Sequence, residues 1–283
     1  MKLIRYGEFN KEKTGIVIDN VMYDTSSFGE DYNEHFFETD GLKRLQQFVE
    51  SNNNKLQRIP GGVRIGSPIA RPSKIVCIGL NYADHAKESG AQLPAEPIIF
   101  MKSTTSLVGP YDNIIIPKNS KKTDWEVELA VVMEKKASYV DEAEAMNYVA
   151  GYCLINDVSE REFQLERHGT WDKGKGCDTF SPLGPWLVTK DEIKDSANLN
   201  LWLKVNEHYM QNSTTANLIF KVPFLVFYIS QFMTLLPGDV ISTGTPPVVG
   251  LGMNPPVYLQ PSDVVELGIN GLGTAKQKVV AYS

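Results

Sequence analysis

The chain has 283 residues, of which 42% are hydrophobic and 22% are charged, as is typical of a soluble globular protein with one large domain or two small ones. Its formal net charge is −6, so no basic field attracts nucleic acid or an anionic membrane, and we expect neither as a partner. The three cysteines are isolated, which argues against a disulfide framework or a zinc site. No secretory segment opens the chain, and residues 223–236, the longest apolar run outside the predicted core strands, are too few to span a membrane; we therefore expect a cytoplasmic protein.

The N-terminal part of the chain is predicted to form a small α+β domain. Two short runs of strand-forming residues, at 3–6 and 15–18, flank a polar turn. Apolar residues at helical spacing predict one amphipathic helix over residues 41–51. A stretch rich in proline and glycine then leads into the rest of the chain. We therefore expect two domains, residues 1–70 and residues 71–283.

A polar segment that follows an apolar strand predicted at 74–80 contains a candidate general base. His85 and Glu88 are three residues apart, so on a helical turn they lie on one side. A carboxylate beside an imidazole fixes its tautomer and raises its basicity, as general-base catalysis requires. The alternative is a solvated surface pair worth a few tenths of a kcal/mol. Because residues 82–97 lack the apolar periodicity of a packed helix, we expect them to form a lid that closes over a bound substrate.

Three carboxylates form the candidate metal site. Glu126 and Glu128 alternate with apolar residues in a predicted strand, so they share one face, about 7 Å apart. Asp157 stands where a second apolar run ends. Like charges this close require compensation, and carboxylates without nearby Cys or His suit a hard cation, Mg²⁺ or Mn²⁺, with Ca²⁺ less favoured. A solvated edge strand whose acids face water fits the spacing equally well.

Two further stretches carry candidate binding groups. Lys175 lies in a glycine-rich segment and is the candidate for a positive charge turned toward the carboxylates; a phosphate loop is excluded because its sequence pattern is absent. Thr243 and Thr245 alternate at a strand end, so their hydroxyls, with the Gly244 amide, could bind a carboxylate, or the stretch is a plain strand end. Residues 223–236 predict a helix that is apolar nearly all round, buried in the core or in a subunit interface.

Six short motifs in this order resemble the fumarylacetoacetate hydrolase family over about residues 70–283. They are Asn81-Tyr82-x-x-His85-x-x-Glu88, Glu126-x-Glu128, Asn156-Asp157-x-x-x-Arg161-x-x-Gln164, Lys175-x-x-Asp178, Pro182-Leu183-Gly184-Pro185 and Thr243-Gly244-Thr245-Pro246. The resemblance implies a mostly β fold, in which a rolled, mixed β-sandwich catalytic domain follows a small N-terminal α+β domain. It also implies a homodimer that acts on a small β-dicarbonyl oxo acid, often an acylpyruvate.

The same resemblance implies roles for individual residues. Mg²⁺ or Mn²⁺ is expected on Glu126, Glu128 and Asp157. The expected catalytic residues are His85, Glu88 and Lys175. The expected substrate contacts are Asn81, Tyr82, Arg161, Gln164 and Thr245. In the expected reaction the metal acts as a Lewis acid, His85 oriented by Glu88 activates water, and Lys175 helps to stabilise a pyruvate enolate.

Within the family, the segments 171–180 and 268–274 are most similar to a bacterial sugar-acid branch. That branch contains 2,4-didehydro-3-deoxy-L-rhamnonate and L-fuconate hydrolases, and similar chains are often labelled ureidoglycolate lyase, a chemistry that we do not favour. We therefore expect hydrolysis of a C–C bond in a 2,4-dioxo sugar acid to pyruvate and a second acid such as lactate. The alternatives are an oxaloacetate decarboxylase or tautomerase of the same family, and a catalytically inactive metal-binding dimer.

Two positions depart from the family pattern. Val248 and Ser262 stand where the family usually has glycine. Val248 follows the Thr-Gly-Thr-Pro motif, where it is expected to narrow a loop near the site. Because of this departure, the sequence does not specify which tail the substrate carries.

Overall fold

The computed structural model of the protein describes residues 1–52, 55–84 and 93–283. Within these ranges most of the regular structure is β-strand, with a few short helices, so the predicted mostly β fold is confirmed. His85 and Glu88, and with them residues 85–92 of the predicted lid over residues 82–97, lie outside the described residues. No helix in the described ranges is long and apolar enough to cross a membrane.

Strands supply the framework, and the helices are few and short. The strands are β1 (Lys2–Tyr6), β2 (Lys13–Ile18), β3 (Val21–Asp24), β4 (Ile65–Gly66), β5 (Ile75–Gly79), β6 (Ile98–Lys102), β7 (Leu107–Val108), β8 (Ile114–Ile116), β9 (Thr123–Asp124), β10 (Val127–Met133), β11 (Val149–Asn156), β12 (Ser159–Glu160), β13 (Ser181–Thr189), β14 (Asn200–Val205), β15 (His208–Thr214), β16 (Val240–Ser242), β17 (Val264–Ile269) and β18 (Gly273–Ala281). The helices are α1 (Glu34–Glu38), α2 (Gly41–Asn52), α3 (Asp172–Lys175) and α4 (Val222–Ser230), and residues Glu162–Glu166 form a π-helical turn.

The larger sheet has eleven strands within the described part of the chain, and β10 lies near its centre. Its main order is β3-β2-β1-β13-β11-β10-β16-β5-β6, with β4 beside β1 and β7 beside β13. All seven residues of β10 are buried, as expected for a strand covered on both faces. The second residue of β10 is Glu128, so its carboxylate is held inside the protein by the strand itself.

A second sheet packs on the first and completes the sandwich. Its order is β15-β14-β17-β18-β8 in the described residues. Apolar side chains from both sheets, among them Leu129 and Val131 of β10 and Leu203 and Leu267 of the second sheet, share one core cluster. Both sheets mix parallel and antiparallel pairs, since β16 runs parallel to β5 and β18 parallel to β8. The predicted mixed β-sandwich is thus the observed architecture.

The N-terminal strands belong to the larger sheet, and the domain boundary expected at residue 70 stays a prediction. Lys2 of β1 pairs with Val188 of β13, so the hairpin β1–β2 and strand β3 extend the central sheet. Phe36 and Leu45 from the two N-terminal helices pack in the same cluster as core residues of the larger part. Residues 1–70 also enclose a small apolar cluster of their own, around Ile4 and Ile59, and they share the larger core through their helices.

Helix α4 is shorter than the apolar run that predicts it. The helix ends at Ser230, although the apolar run continues to residue 236. The residues after it turn back, and Leu235 forms an isolated β-bridge with Ala137. One face of α4 is buried through Leu225 and Ile229, whereas aromatic side chains cover its outer face, so the helix is only half-buried in this chain.

Candidate active site

The three predicted metal ligands come together where β10 begins and β11 ends. Antiparallel pairing of Val127 with Asn156 brings these two strand ends side by side. Glu126 precedes β10, Glu128 is its second residue, and Asp157 follows β11. One carboxylate oxygen from each of the three lies within 4.8 Å of the others, and all three residues are buried. The grouping expected from the alternation of acids and apolar residues is therefore present, and the alternative of solvated acids is not.

Two buried lysines hold the carboxylates. Lys175 Nζ lies 2.7 Å from Glu126 Oε2 and 2.8 Å from Asp157 Oδ2, as expected for a charge turned toward the acids. Lys102 Nζ lies 2.5 Å from Asp157 Oδ1 and donates to the Val158 carbonyl at 3.0 Å. Both lysine side chains are almost completely buried. Each carboxylate oxygen of Asp157 thus contacts one ammonium group.

Close packing explains the glycine-rich segment around Lys175. A Cβ on Gly174 of α3 would lie 2.4 Å from the Glu160 carbonyl oxygen and 2.6 Å from the Gln164 Cβ. Only glycine lets α3 approach the π-helical turn this closely. The approach sets the helix turn that carries Lys175 against the carboxylates, so Gly174 serves helix packing.

The two neighbouring glutamates have opposite protonation tendencies. Burial raises the pKa of Glu126, but the charges of Lys175 and Arg161 outweigh burial and lower it to about 2. Burial, followed by the charges of Asp157 and Glu126, raises the pKa of Glu128 well above its usual range. Glu128 Oε2 accepts hydrogen bonds from Ser242 Oγ at 2.6 Å and from the Gly244 amide at 2.8 Å, which leave its other oxygen for a proton or a cation.

These residues fit a divalent metal. In the described part of the chain the ligand group consists of carboxylates alone, the donor type that Mg²⁺ and Mn²⁺ favour. The raised pKa of Glu128 marks a position where an added positive charge relieves repulsion between buried acids. Burial would lower the pKa of Lys175, but Asp157 and Glu126 outweigh it and raise the pKa, so this group stays charged.

Arg161 connects the triad to a fourth buried acid. Its Nη2 lies 2.6 Å from Glu126 Oε1, its Nε 2.8 Å from Asp124 Oδ2, and its Nη1 3.0 Å from Gln164 Oε1. Asp124 also accepts from the amides of Gly250 at 2.7 Å and Leu251 at 3.0 Å. Arg161 was expected to contact the substrate tail. It lines the cleft, but its bonds first fix the orientation of Glu126.

Asn81 does not present its side chain to a ligand, in contrast to the expectation. Its Nδ2 donates to the carbonyls of Thr243 at 2.7 Å and Phe220 at 3.0 Å, and its Oδ1 accepts from the Phe220 amide at 2.8 Å. These bonds join the end of β5 to two other segments and saturate the amide group. Tyr82 is also buried, and its hydroxyl has no partner among the described residues. Burial and then the nearby Glu128 charge raise the pKa of Tyr82.

The Thr-Gly-Thr strand end does not form the expected carboxylate site. Thr243 Oγ1 donates to the Leu129 carbonyl at 2.9 Å, and Thr245 Oγ1 donates to the Val127 carbonyl at 3.0 Å. The Gly244 amide donates to Glu128. All three donors are committed to β10, so this stretch fastens β16 to β10 and orients Glu128.

A cleft of about 410 Å³ opens beside the carboxylates. Its polar lining includes Glu126, Glu128, Arg161, Gln164, Lys175 and Thr245. The Gln164 Oε1 accepts from Arg161, whereas its Nε2 has no protein partner in the described ranges and remains a donor for a ligand. The rest of the lining is mostly apolar. Of the predicted substrate contacts that lie within the described residues, Arg161, Gln164 and Thr245 line the cleft, whereas Asn81 and Tyr82 do not.

Four buried residues of the site escape sequence reasoning. They are Lys102, Asp124, Gln211 and Ser242. Asp124 carries a usable signal, because it continues the alternation of Glu126 and Glu128. Lys102 ends an apolar strand, a position that is ordinarily solvent-exposed. Gln211 lies on the second sheet, and its Oε1 accepts from the Val127 amide at 2.9 Å, a contact between sheets that no local pattern indicates.

Comparisons with known proteins agree on one family. The family model described as fumarylacetoacetate (FAA) hydrolase C-terminal matches residues 74–280. A protein from Burkholderia multivorans, whose name makes it a candidate hydrolase, is 52% identical over 279 residues, which is 98% of each chain. The family match begins close to the boundary predicted at residue 70, although the two parts of the chain share a core.

Solved structures give the same result. The fumarylacetoacetate hydrolase from Exiguobacterium antarcticum has a TM-score of 0.86 and 32% identity, covering 100% of both chains. The maleylpyruvate hydrolase from Sphingobium sp. SYK-6, solved in complex with manganese(II) and pyruvate, has a TM-score of 0.83 and 27% identity, covering 100% of both chains. The sugar-acid branch stays a prediction. The chain belongs to the fumarylacetoacetate hydrolase family.

Proposed function

We propose that the protein is a divalent-metal-dependent hydrolase that cleaves an acylpyruvate-type 2,4-dioxo acid to pyruvate and a second carboxylic acid. The observation that carries the proposal is the buried triad of Glu126, Glu128 and Asp157, joined by Lys175 beside an open cleft. The relative that hydrolyses maleylpyruvate and binds manganese(II) and pyruvate supports this choice of substrate class.

The three carboxylates would hold Mg²⁺ or Mn²⁺, which when bound supplies a Lewis acid for the oxygens of the pyruvoyl group. Lys175 contributes a fixed positive charge in a site shielded from water. Because charge develops on the pyruvoyl oxygen as the C–C bond breaks, a cation placed there lowers the barrier. Arg161 and Lys102 hold Glu126 and Asp157 in place during the reaction.

The reaction balances with one water molecule. The water oxygen adds to the distal carbonyl carbon, and the bond between that carbon and the neighbouring methylene breaks. The bond's electron pair passes to the methylene carbon, which then takes a proton to become the methyl group of pyruvate. The acyl fragment leaves as a carboxylic acid. In this proposal His85, oriented by Glu88, takes the proton from water; both residues lie outside the described ranges, so their roles rest on the sequence.

A metal-dependent cleavage assay tests the function. The chelator-stripped protein is given Mn²⁺ or Mg²⁺ and a series of 2,4-dioxo acids, and pyruvate and the co-product are measured. Acylpyruvate cleavage that stops in excess EDTA and returns with metal is the expected result. Full activity in EDTA, or failure to cleave any 2,4-dioxo acid in the metal-loaded state, contradicts the proposal.

The His85→Ala variant separates hydrolysis from decarboxylation. We expect it to slow acylpyruvate hydrolysis about 10²-fold or more, the scale of a lost general base. Oxaloacetate decarboxylation, if the protein performs it, should suffer less because no water is activated. Equal losses in both reactions would mean that His85 only positions the substrate.

The proposal includes a homodimer. Aromatic residues on the outer face of α4 and just beyond its end are partly exposed: the ring centroids of Phe224 and Tyr228 lie 5.8 Å apart, and Phe232, which follows the helix, is 63% exposed. An exposed aromatic row of this kind suits a subunit interface. Analytical ultracentrifugation should give twice the chain mass, and Phe232→Asp should shift the protein toward monomer.

A further inference from the structure

We infer that the cleft selects an apolar acyl tail, of short alkyl or aryl type, over a hydroxylated sugar chain, and that Trp171 is the main selecting residue. The inference rests on the proposed function in that the 2-oxo acid head is taken to bind at the carboxylates. It concerns the other part of the cleft, whose apolar lining is formed by Ile78, Phe100, Leu165, Trp171, Val249 and Leu251.

Trp171 is held in a fixed position against the backbone of β5. A Cβ on Gly79 would lie 2.5 Å from Trp171 Cζ3, so the absence of a side chain at Gly79 makes room for the indole ring. The Phe100 ring meets the indole at 61°, with the ring centroids 5.4 Å apart. The two aromatic rings therefore form one rigid wall, and the Lys175 ammonium lies 5.0 Å from the centre of the Phe100 ring.

Helix α3 sets the distance between the reacting end and this wall. The Lys175 amide donates to the Trp171 carbonyl at 3.1 Å, so the two residues are one helical turn apart. Side chains with this spacing neighbour each other, with Cβ atoms about 5–6 Å apart. The Phe100 ring contacts both the Lys175 ammonium and the Trp171 indole, so a substrate whose pyruvoyl group reaches Lys175 has these two rings beside its tail.

Within the described part of the chain, this end of the cleft offers apolar surface and few hydrogen-bonding groups. Leu165 is 51% exposed and Leu251 is 37% exposed, and both line the cleft. Exposed apolar side chains around a polar centre are typical of a ligand site. A sugar tail would lose water from several hydroxyls here, and each hydroxyl left without a partner weakens binding. The Gln164 Nε2, which has no protein partner in the described ranges, can donate at most two hydrogen bonds to these hydroxyls.

Binding of 2-oxo acids to the Mn²⁺-loaded protein, measured by calorimetry, tests the inference without turnover. The ligands are pyruvate, 2-oxobutanoate, 2-oxohexanoate, phenylpyruvate and a hydroxylated 3-deoxy-2-oxo sugar acid. Affinity should rise about four-fold for each added methylene, which corresponds to about 0.8 kcal/mol. The hydroxylated acid should bind no better than 2-oxobutanoate. Tighter binding of the hydroxylated acid than of 2-oxohexanoate overturns the inference.

Three variants assign the selection to the wall. Trp171→Ala should weaken 2-oxohexanoate at least about ten-fold and leave pyruvate within about three-fold, because pyruvate has no tail. Gly79→Ala should reduce the rise of affinity with tail length, because it displaces the indole ring. Trp202→Ala is the matched control: its ring also packs on a glycine, Gly268, but it does not line the cleft, so the series should be unchanged. Equal losses for pyruvate and 2-oxohexanoate in Trp171→Ala would make its role general packing and overturn the inference.

The outcome is separable from that of the proposed function. An affinity series that rises with tail length, without cleavage of the matching 2,4-dioxo acids, overturns the reaction and leaves the tail selection standing. If the 2,4-dioxo acids are cleaved but the affinity for 2-oxo acids does not change with tail length, only the tail selection is overturned. If none of the 2-oxo acids binds the loaded protein, both are wrong.

Discussion

The two ends of the cleft are built in different ways. At the carboxylate end, Glu126, Glu128 and Asp157 come from the central strands or directly beside them, and each accepts hydrogen bonds from buried partners. At the tail end, Leu165 and Leu251 come from connecting segments and remain partly exposed. A fully bonded, buried group tolerates little change, whereas an exposed apolar side chain can change with small loss. The difference indicates that chemistry and stability are coupled at the first end and that selectivity can vary at the second.

The largest effect is expected from removing a carboxylate. Glu128→Ala should weaken Mn²⁺ binding by well over about 100-fold, since even residues that only orient a ligand contribute about 10–100-fold. Activity should be lost with it, and excess EDTA should silence the wild type reversibly. Calorimetric metal titration and circular dichroism together measure the loss and check that the fold is retained. Unchanged Mn²⁺ affinity would contradict the assignment of the triad.

Substitution of the two lysines that contact Asp157 should give the next largest effect. It tests directly whether a residue of the carboxylate end serves the chemistry or only the stability. Lys175 lines the cleft, whereas Lys102 is not among the lining residues. In the metal-loaded protein, Lys175→Met should lower kcat about 10²–10³-fold, the scale of one lost electrostatic donor. Lys102→Met should leave most of kcat. Both variants should lose roughly 3–5 kcal/mol of stability, because each leaves a buried charge with fewer partners.

Kinetics and thermal denaturation of the two variants, with and without Mn²⁺, separate the two roles. Equal kcat losses would mean that both lysines act only by orienting Asp157. A large kcat loss in Lys102→Met alone would reverse the assignment.

The positions of the acids and of the central strands could be predicted because both depend on local patterns. The alternation around Glu126 and the apolar run that ends at Asp157 each indicate a strand and a face without knowledge of the partners. The pairing of β1 with β13 could not be predicted, because nothing in residues 3–6 specifies which distant strand they join. The sequence therefore gives no sign that the N-terminal strands extend the larger sheet.

The hydrogen bonds of the site could not be predicted either. A motif places Asn81 and Thr245 near the carboxylates, but the partners of each side chain depend on segments far away in sequence. The family resemblance implies that Asn81 contacts the substrate, yet three main-chain bonds occupy its amide group. Lys102 was missed because burial of a lysine at a strand end depends on Asp157 lying across from it.

The pH dependence of stability tests the polar end in the metal-free state. The pKa of Glu128 is raised in the folded protein, so its contribution to stability is fully present below its unfolded pKa and is lost as the pH rises through the folded value. Glu128→Gln cannot ionise but can still accept from Ser242 and Gly244. The metal-free variant should therefore become more stable relative to the wild type as the pH rises. Each kcal/mol of this gain should raise its Tm by roughly 2–4 °C relative to the wild type.

Thermal denaturation from pH 5 to pH 9 with EDTA measures the difference between the two proteins, in which other titrating groups cancel. Added Mn²⁺ should reverse the order at high pH, because only the wild type keeps all three ligands. A Tm difference that does not vary with pH would mean that Glu128 has an ordinary pKa.

Substitution of Val248 or Ser262 should give the smallest effect. Val248 lies in a loop at the cleft, whereas Ser262 lies in a turn away from it. Both residues have left-handed backbone, with φ of 69° and 84°. A β-branched residue in this region is strained, and serine less so. The Val248 carbonyl accepts from Trp125 Nε1 at 3.2 Å, so the strained loop is tied to the residue next to Glu126.

Val248→Gly and Ser262→Gly should both stabilise the protein slightly. Left-handed backbone disfavours an L-residue by roughly 1–2 kcal/mol, while glycine loses more chain entropy on folding, roughly 0.5–1 kcal/mol. The net gain should therefore be about 1 kcal/mol for Val248 and less for Ser262. Only Val248→Gly should also weaken the preference for long 2-oxo acids, because its loop carries Val249 and Leu251, which line the apolar part of the cleft, whereas Ser262 lies in the turn before β17. Tm values and the calorimetric ligand series report the two effects separately. If Ser262→Gly altered the ligand series as much as Val248→Gly, selectivity would not reside in the loop that borders the cleft.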